Sequence, residues 1–314
     1  EVTPLLAVKS FPDNRCLDAA QRKLGGFDVS NPAEYACLPN NLDGKLVSIV
    51  SPGMDFDISS FVSKGNAAVV VLDSFAQLDR YFSQQPGIPY MLRVQSTHLI
   101  EDTDLGYYKR TRFGFSPQQV GQALKHPKVI TTPPAGFHVH HGSEVNQITT
   151  FRSMIKGLES LARELPAEPA FINLGGGWSE LTPEEIGALL TQARKAFPLP
   201  CSILMEPGHW YSRDTGFAVC TVVNQMQSSD TINYTVNLSR HGHLRWSDVK
   251  LIVPIESRPR KAQRVQFFGP SCFEGDRIGN FIVPYHTDFP HESGLTTGQQ
   301  VVFSNVSCYS AAWN

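Results

Sequence analysis

The chain lacks most of the features that assign a protein to a special class. Its 314 residues contain no uninterrupted apolar run close to the ~20 that a membrane-spanning helix needs, so no membrane partner is expected. No basic segment followed by an apolar stretch opens the sequence, the pattern of a secretory leader. Charge of one sign is missing too: 27 Lys and Arg stand against 29 Asp and Glu. A formal charge of -2 supplies no broad basic field, which argues against nucleic acid as a partner. The six cysteines (Cys16, Cys37, Cys201, Cys220, Cys272, Cys308) lie far apart with no CxxC pair. That pattern suits free thiols in a reducing compartment, and a cytoplasmic location is expected from it. Repeats and low-complexity tracts are absent.

What remains is the composition of a packed globular protein, 41% hydrophobic and 18% charged. The length suits two medium domains or one large barrel with an appendage. In the first two-thirds, short apolar runs at 5–8, 27–30, 45–50, 67–73, 90–95, 136–141, 170–175 and 202–207 read as strands. They are rich in Val, Ile, Leu and Phe, as strands buried on both faces are. Helical patterns alternate with them at 17–24, 75–85, 117–125, 146–165 and 182–197. The last has Thr182 before Pro183 and Glu185 three residues on, a capping box. Eight strands alternating with helices predict a (β/α)8 TIM-type barrel over residues 1–216. Beyond it, short strands at 217–224, 231–238, 251–254, 263–268, 277–283 and 299–305, with no strong helix pattern, predict an all-β C-terminal domain over 217–314. The fold class is therefore α/β, a barrel followed by a β domain.

Active sites of such barrels form at the C-terminal ends of the strands. There the predicted strands deliver Lys9, then Asp28 and Ser30, Arg93, the run His140, His141, Gly142 and Ser143, the glycines 175–177, and Glu206, Pro207 and Gly208. Each suits one kind of chemistry. A desolvated amine can form a Schiff base with an aldehyde. Glycines let backbone N–H groups approach a phosphate with no Cβ in the way. An acid facing a pyridine nitrogen keeps it protonated, and an imidazole can lie flat on a ring. Singly these residues carry little: a lysine after an apolar run is usually a solvated charge, three glycines are usually a turn, and Glu before Pro-Gly usually marks a turn. Their joint order is what points to pyridoxal 5'-phosphate as cofactor.

The same residues resemble the motifs of the ornithine/diaminopimelate decarboxylase family, pyridoxal-phosphate enzymes of the alanine-racemase-like barrel fold, fold type III. Residues 6–9 (Leu-Ala-Val-Lys) resemble Y-A-V-K, and Gly26, Phe27, Asp28, Val29, Ser30 with Glu34 resemble G-x-D-x-x-S-x-x-E. Arg112, Phe113 and Gly114 resemble S-K-F-G; residues 137–143 resemble H-F-H-x-G-S; residues 173–177 resemble D-x-G-G-G; and 206–208 open E-P-G-R. Gly269, Pro270, Ser271 and Cys272 resemble G-P-x-C, and Cys308 with Tyr309 resembles A-Y.

The resemblance implies roles. Lys9 is the Schiff-base lysine, Glu206 the partner of the pyridine nitrogen, and His140 the stacked imidazole. Ser143, Gly175, Gly176, Gly177, Gly208, His209 and Tyr309 hold the phosphate, with Asp28 and Arg93 beside the cofactor. The family builds its site at a homodimer interface, where Cys272 helps protonate the carbanion left by carbon dioxide; a thiol suits that delivery. Two departures stand out. His209 replaces the Arg of E-P-G-R and offers a weaker phosphate contact than a guanidinium fork. Phe273 stands where the family has the acid that reads the substrate's distal amine, and Glu274 follows one place late. The substrate is therefore expected to be a basic or diamino acid, or a derivative with a modified distal group, other than plain ornithine or lysine. Phe273, Glu274, Tyr309 and Arg245 are its candidate contacts; Arg240 and Arg277 lie nearby in sequence, and Arg245 reads equally as a surface residue. Only eight residues precede Lys9 and the chain stops at Asn314, either because the protein is naturally short or because ends are missing.

Three rival readings stand beside this one. His138 and His140 are two apart on one strand, a metal-ligand spacing that suggests a metal-dependent barrel hydrolase, though no companion ligands stand at the other strand ends. A non-catalytic pyridoxal-phosphate-binding regulator would share the scaffold, but keeps no need for Lys9, Glu206, Cys272 and Tyr309 together. An amino-acid racemase would share barrel and lysine but not the G-P-x-C and E-P-G motifs. No metal is expected.

Overall fold

A computed structural model describes residues 2–100, 110–142, 147–228, 230–252, 261–285 and 295–312. The apolar runs become strands because their Val, Ile, Leu and Phe side chains pack on both sides of a parallel sheet. Strand β4 (Ala67–Leu72, AAVVVL) is buried along all but its first residue, and β5 (Tyr90–Val94) throughout. With β1 (Val2–Ala7), β2 (Gly26–Val29), β3 (Leu46–Val50), β6 (Gly136–Val139), β7 (Phe171–Asn173) and β8 (Ser202–Met205), they close an eight-stranded parallel barrel. The fold class is the one the patterning predicts. Strand boundaries differ by a few residues at the C-terminal ends: Lys9 lies in a 3-10 turn, Val8–Ser10, rather than at the end of a strand, and His140 and Glu206 follow their strands.

Helices alternate with the strands and pack on the outside. The one over Pro183–Ala196 starts as its sequence predicts, with Thr182 Oγ1 accepting from the Glu185 N–H and Glu185 Oε2 accepting from the Thr182 N–H. Two cores result. The larger fills the space between sheet and helices. The smaller joins Leu5, Val69, Val71, Met91 and Leu204, which come from strands on opposite sides and so meet inside the barrel. Side chains alternate along a strand, so residues two further on, Arg93 after Met91 and Glu206 after Leu204, face the same interior nearer its C-terminal end.

The chain divides into two compact units, Glu1–Trp210 and Tyr211–Asn314. The second is a six-stranded sheet of order β11-β14-β9-β10-β12-β13, built from β9 (Gly216–Ser228), β10 (Thr231–Val236), β11 (Lys250–Ile252), β12 (Lys261–Phe268), β13 (Arg277–Tyr285) and β14 (Gln300–Val306). Only β10 and β12 pair in parallel. Its core centres on Tyr234, Phe267 and Phe303. Two short helices, Arg240–His243 and Cys308–Ala312, occur where the sequence showed no helix pattern, and Tyr309 lies in the second. Both span barely one turn, too short to carry a helical period. Among the described residues no helix is long and apolar enough to cross a membrane.

Candidate active site

The barrel's C-terminal end gathers charged groups that a packed core normally excludes. Lys9 Nζ donates to Asp28 Oδ2 at 2.9 Å and lies 3.5 Å from Ser30 Oγ. Asp28 is fully buried, and its Oδ1 has no hydrogen-bond partner. Burial, reinforced by the negative charge of Glu206, pushes the Asp28 carboxyl up to about 6 despite the Lys9 ammonium beside it. Glu34 fastens the turn after β2 by accepting from the Ser30 N–H and from Asn31 Nδ2, each at 2.9 Å.

Across β5, β6 and β7 the register sets Arg93, His138 and Asn173 side by side, a polar row facing the interior. Glu206 completes it from the end of β8. Its Oε1 accepts from Asn173 Nδ2 at 2.7 Å and lies 3.4 Å from His138 Nε2. Burial raises the Glu206 carboxyl, while Lys9, the Asn173 hydrogen bond and Arg93 pull it back toward the charged form. Burial and then Arg93 push His138 down to about 3, so it is a neutral imidazole, and both its ring nitrogens lack a hydrogen-bond partner. Burial strips Arg93 of some of its basicity, opposed by Asp73, Glu206 and Asp28. Its guanidinium stacks 4.5 Å from the Phe113 ring, and Arg112 covers the same ring at 4.0 Å.

The residues that follow β7 make a turn that demands glycine. Gly175 and Gly177 have φ of 64° and 92°. A Cβ on Gly175 would sit 2.5 Å from the Val139 carbonyl oxygen, and one on Gly176 would sit 2.8 Å from that of Glu206. His140 closes on this turn: its Nδ1 accepts from the Gly176 N–H at 3.0 Å. That contact fixes the neutral tautomer with the proton on Nε2, and burial with Arg93 and His138 nearby keeps His140 well below its usual range.

Lys9, Asp28, Arg93, His140, Gly175, Gly176, Gly177 and Glu206 therefore share one end of the barrel. Gly208, two residues after Glu206, is buried, and the partly buried His209 opens the short helix His209–Ser212. Ser143 lies outside the described residues. The remaining candidates belong to the second unit. Cys272, Phe273 and Glu274 are exposed on the turn between β12 and β13, where Phe273, 62% exposed, lays its ring 5.3 Å from that of His241. Arg245 is exposed over the Trp246 ring, Trp246 in turn lies 6.4 Å from the Tyr309 ring, and Arg277 reaches Gln266. Sequence reasoning missed Asn173 as a functional residue and considered His138 only as a metal ligand. Both were legible as inward positions, two residues before Gly175 and His140 respectively. The His140 Nδ1 lone pair is committed to the Gly176 N–H, and no group of three His, Cys, Asp or Glu suited to a metal ion is found among the described residues.

The donor set fits pyridoxal phosphate. It offers an amine at the mouth, a glycine turn open to a phosphate, a carboxylate for a ring nitrogen, and buried polar atoms, Asp28 Oδ1 and the His138 nitrogens, that the protein leaves without partners.

Comparison with known proteins bears on the same region. A family profile described as pyridoxal-dependent decarboxylase, pyridoxal binding domain, matches residues 1–213. A probable ornithine decarboxylase of Dictyostelium discoideum is 20% identical over 338 residues, covering 99% of this chain and 71% of its own length. The amino acid decarboxylase lolD1 of Epichloe uncinata is 22% identical over 240 residues, or 73% of this chain and 56% of its own length. Among solved structures, the Paramecium bursaria Chlorella virus arginine decarboxylase bound to agmatine superposes with a TM-score of 0.78 at 18% identity, covering 99% of this chain and 86% of that one. At such identity the structural likeness speaks for the fold.

Proposed function

The chain belongs to the pyridoxal-dependent decarboxylases, and from that premise we propose that it removes the α-carboxyl group of a basic or diamino acid, or of a derivative with a modified distal group. The observation that carries this reading is the meeting of the Lys9–Asp28 pair, the glycine turn and Glu206 at one barrel end. When bound, pyridoxal phosphate supplies an electron-accepting ring that takes up the electron pair left as carbon dioxide departs.

The residues divide the remaining work. Lys9 is the anchoring amine for the cofactor aldehyde, and Asp28 holds its Nζ in place. Gly175, Gly176 and Gly177 present N–H groups to the phosphate, with Ser143, Gly208, His209 and Tyr309 as further contacts. His140, fixed by Gly176, presents its ring face to the cofactor, and Arg93 supplies positive charge beside it. Glu206 keeps the pyridine nitrogen protonated. Cys272 delivers a proton to the carbon that lost its carboxylate. We infer a homodimer in which the Cys272 of one protomer serves the other. Substrate selection falls to Phe273, Glu274, Arg245 and Tyr309. An aromatic ring at 273 gives a distal ammonium no ionic partner, which supports a substrate other than plain ornithine or lysine.

Purified protein loaded with the cofactor is expected to take on the visible absorbance of a lysine-bound pyridoxal. Borohydride should fix the label on the peptide containing Lys9, and Lys9→Ala should abolish both. Carbon dioxide release is then followed with lysine, ornithine, arginine and meso-diaminopimelate. Uptake of cofactor with no release from any amino acid would overturn decarboxylation, and fast turnover of ornithine or lysine would overturn the substrate reading. Mixing inactive Lys9→Ala and Cys272→Ala variants should restore part of the activity if protomers share sites.

A further inference from the structure

Three hydrogen bonds close a ring behind Glu206. The Glu206 N–H donates to the Gly175 carbonyl at 2.8 Å, the Gly175 N–H donates to Asn173 Oδ1 at 2.9 Å, and Asn173 Nδ2 donates to Glu206 Oε1 at 2.7 Å. A carboxylate only accepts and an N–H only donates, so chemistry alone orients this amide. The side chain here is a neutral amide, and an aspartate is the informative contrast. An ionised aspartate could still accept from Gly175, but it would set a second carboxylate against Oε1. It could replace the amide donor only while protonated.

The charged and titratable groups facing Glu206 are Lys9 on the turn after β1, Asp28 on β2, Arg93 on β5 and His138 on β6. Asn173 Nδ2 is the donor that reaches Oε1 at 2.7 Å, while His138 Nε2 stands 3.4 Å away and makes no hydrogen bond. Oε2 makes no hydrogen bond among the described residues.

We propose that Asn173 is a positioning residue for the reaction: it ties Oε1 of Glu206 to the glycine turn, leaves Oε2 to meet the pyridine nitrogen, and, being neutral, does so independently of pH. The inference rests on the reading that Glu206 partners that nitrogen. It couples the two ends of the cofactor site, the phosphate turn and the ring-nitrogen carboxylate, through one side chain.

The test compares Asn173→Asp and Asn173→Ala with the parent, read as pyridoxal-phosphate affinity of the cofactor-free protein and as a pH profile of kcat and KM. Trp178, whose indole N–H donates to the Gly175 carbonyl at 2.8 Å, reports cofactor binding by fluorescence. Asn173→Asp is expected to match the parent at acid pH, where a protonated Asp donates as the amide does. As pH rises and that carboxyl ionises, cofactor affinity and kcat should both fall by at least ~10-fold with KM little changed, a new basic limb that the parent lacks. Asn173→Ala should lose a similar factor at every pH. In a Glu206→Gln background the pH dependence of Asn173→Asp should vanish. Circular dichroism melts check that each variant is folded; should Asn173→Ala fail to fold, Asn173→Asp at its acid and basic extremes is sufficient. Parent-like affinity and a parent-like profile in folded Asn173→Asp overturn the proposal. A parent that binds no cofactor overturns the underlying reading instead.

Discussion

Asp28 in the barrel and Asp276 in the sheet unit are both buried carboxylates, 0% and 1% exposed, yet their surroundings have opposite designs. Asp276 accepts from Ser239 Oγ at 3.0 Å and the Arg240 N–H at 2.7 Å on one oxygen, and from Ser271 Oγ at 2.7 Å on the other. Burial alone would raise it, but these hydrogen bonds outweigh burial and hold it below the usual carboxylate range. Asp28 spends one oxygen on Lys9 and leaves the other bare, and burial lifts it to about 6. A buried charge with every lone pair occupied serves the fold, here by bracing the turn that carries Cys272. One with atoms left over costs stability and marks where a ligand completes the structure. His138, with both ring nitrogens bare, belongs with Asp28.

The largest effect that sharpens this comparison is expected at Glu206. Glu206→Gln keeps the shape and removes the charge, so decarboxylation should fall roughly 100-fold or more while the melting curve stays near the parent's. Steady-state kinetics beside a thermal melt distinguishes the outcomes. A variant that unfolds yet turns over normally per folded molecule would put Glu206 in the same class as Asp276. The reverse pattern is expected for Asp276→Ala. It strands two hydroxyls and an N–H without their acceptor, at a cost of about 3 kcal/mol to the sheet unit. Cofactor affinity at the barrel should not move. Chemical denaturation followed alongside cofactor titration measures both.

The two units also differ in how far their sequences speak for themselves. The barrel's strands were legible because a parallel sheet covered on both faces needs continuous Val, Ile and Leu, as in AAVVVL of β4. Thr182, Pro183 and Glu185 marked a helix start for an equally local reason. The short helices at 240–243 and 308–312 were not legible, since one turn has no period and depends on tertiary contacts such as Ser310 Oγ with Ser247 Oγ at 2.9 Å. In the site, Lys9, His140, the glycines and Glu206 were legible through motif order. The inward position of Asn173 was legible, but its role was not, because that depends on which atom of Glu206 it meets, a matter of register across β7 and β8. The bare nitrogens of His138 were hidden for the same reason: nothing local in FHVHH says that the inward ring will find no donor or acceptor.

The smallest effect is a pH slope, and it tests whether His138 carries the cost assigned to it. Its folded pKa lies at about 3, below the ordinary value of 6.5 that the unfolded chain regains. The unfolded state therefore takes up the proton first as pH falls. Stability from the neutral ring is present above about 6.5 and is lost progressively toward 3. At about pH 5 the loss amounts to roughly 1.5 pH units, about 2 kcal/mol. Asp28 works the other way: its raised pKa favours the folded state as pH falls from about 6 toward 3.8. His138→Gln removes the first contribution and keeps the second. Going from about pH 7.5 to 5, the variant should therefore lose about 2 kcal/mol less stability than the parent in denaturant titrations. Equal losses would mean that the ring has a proton partner when folded, and His138 would then join Asp276 among the satisfied groups.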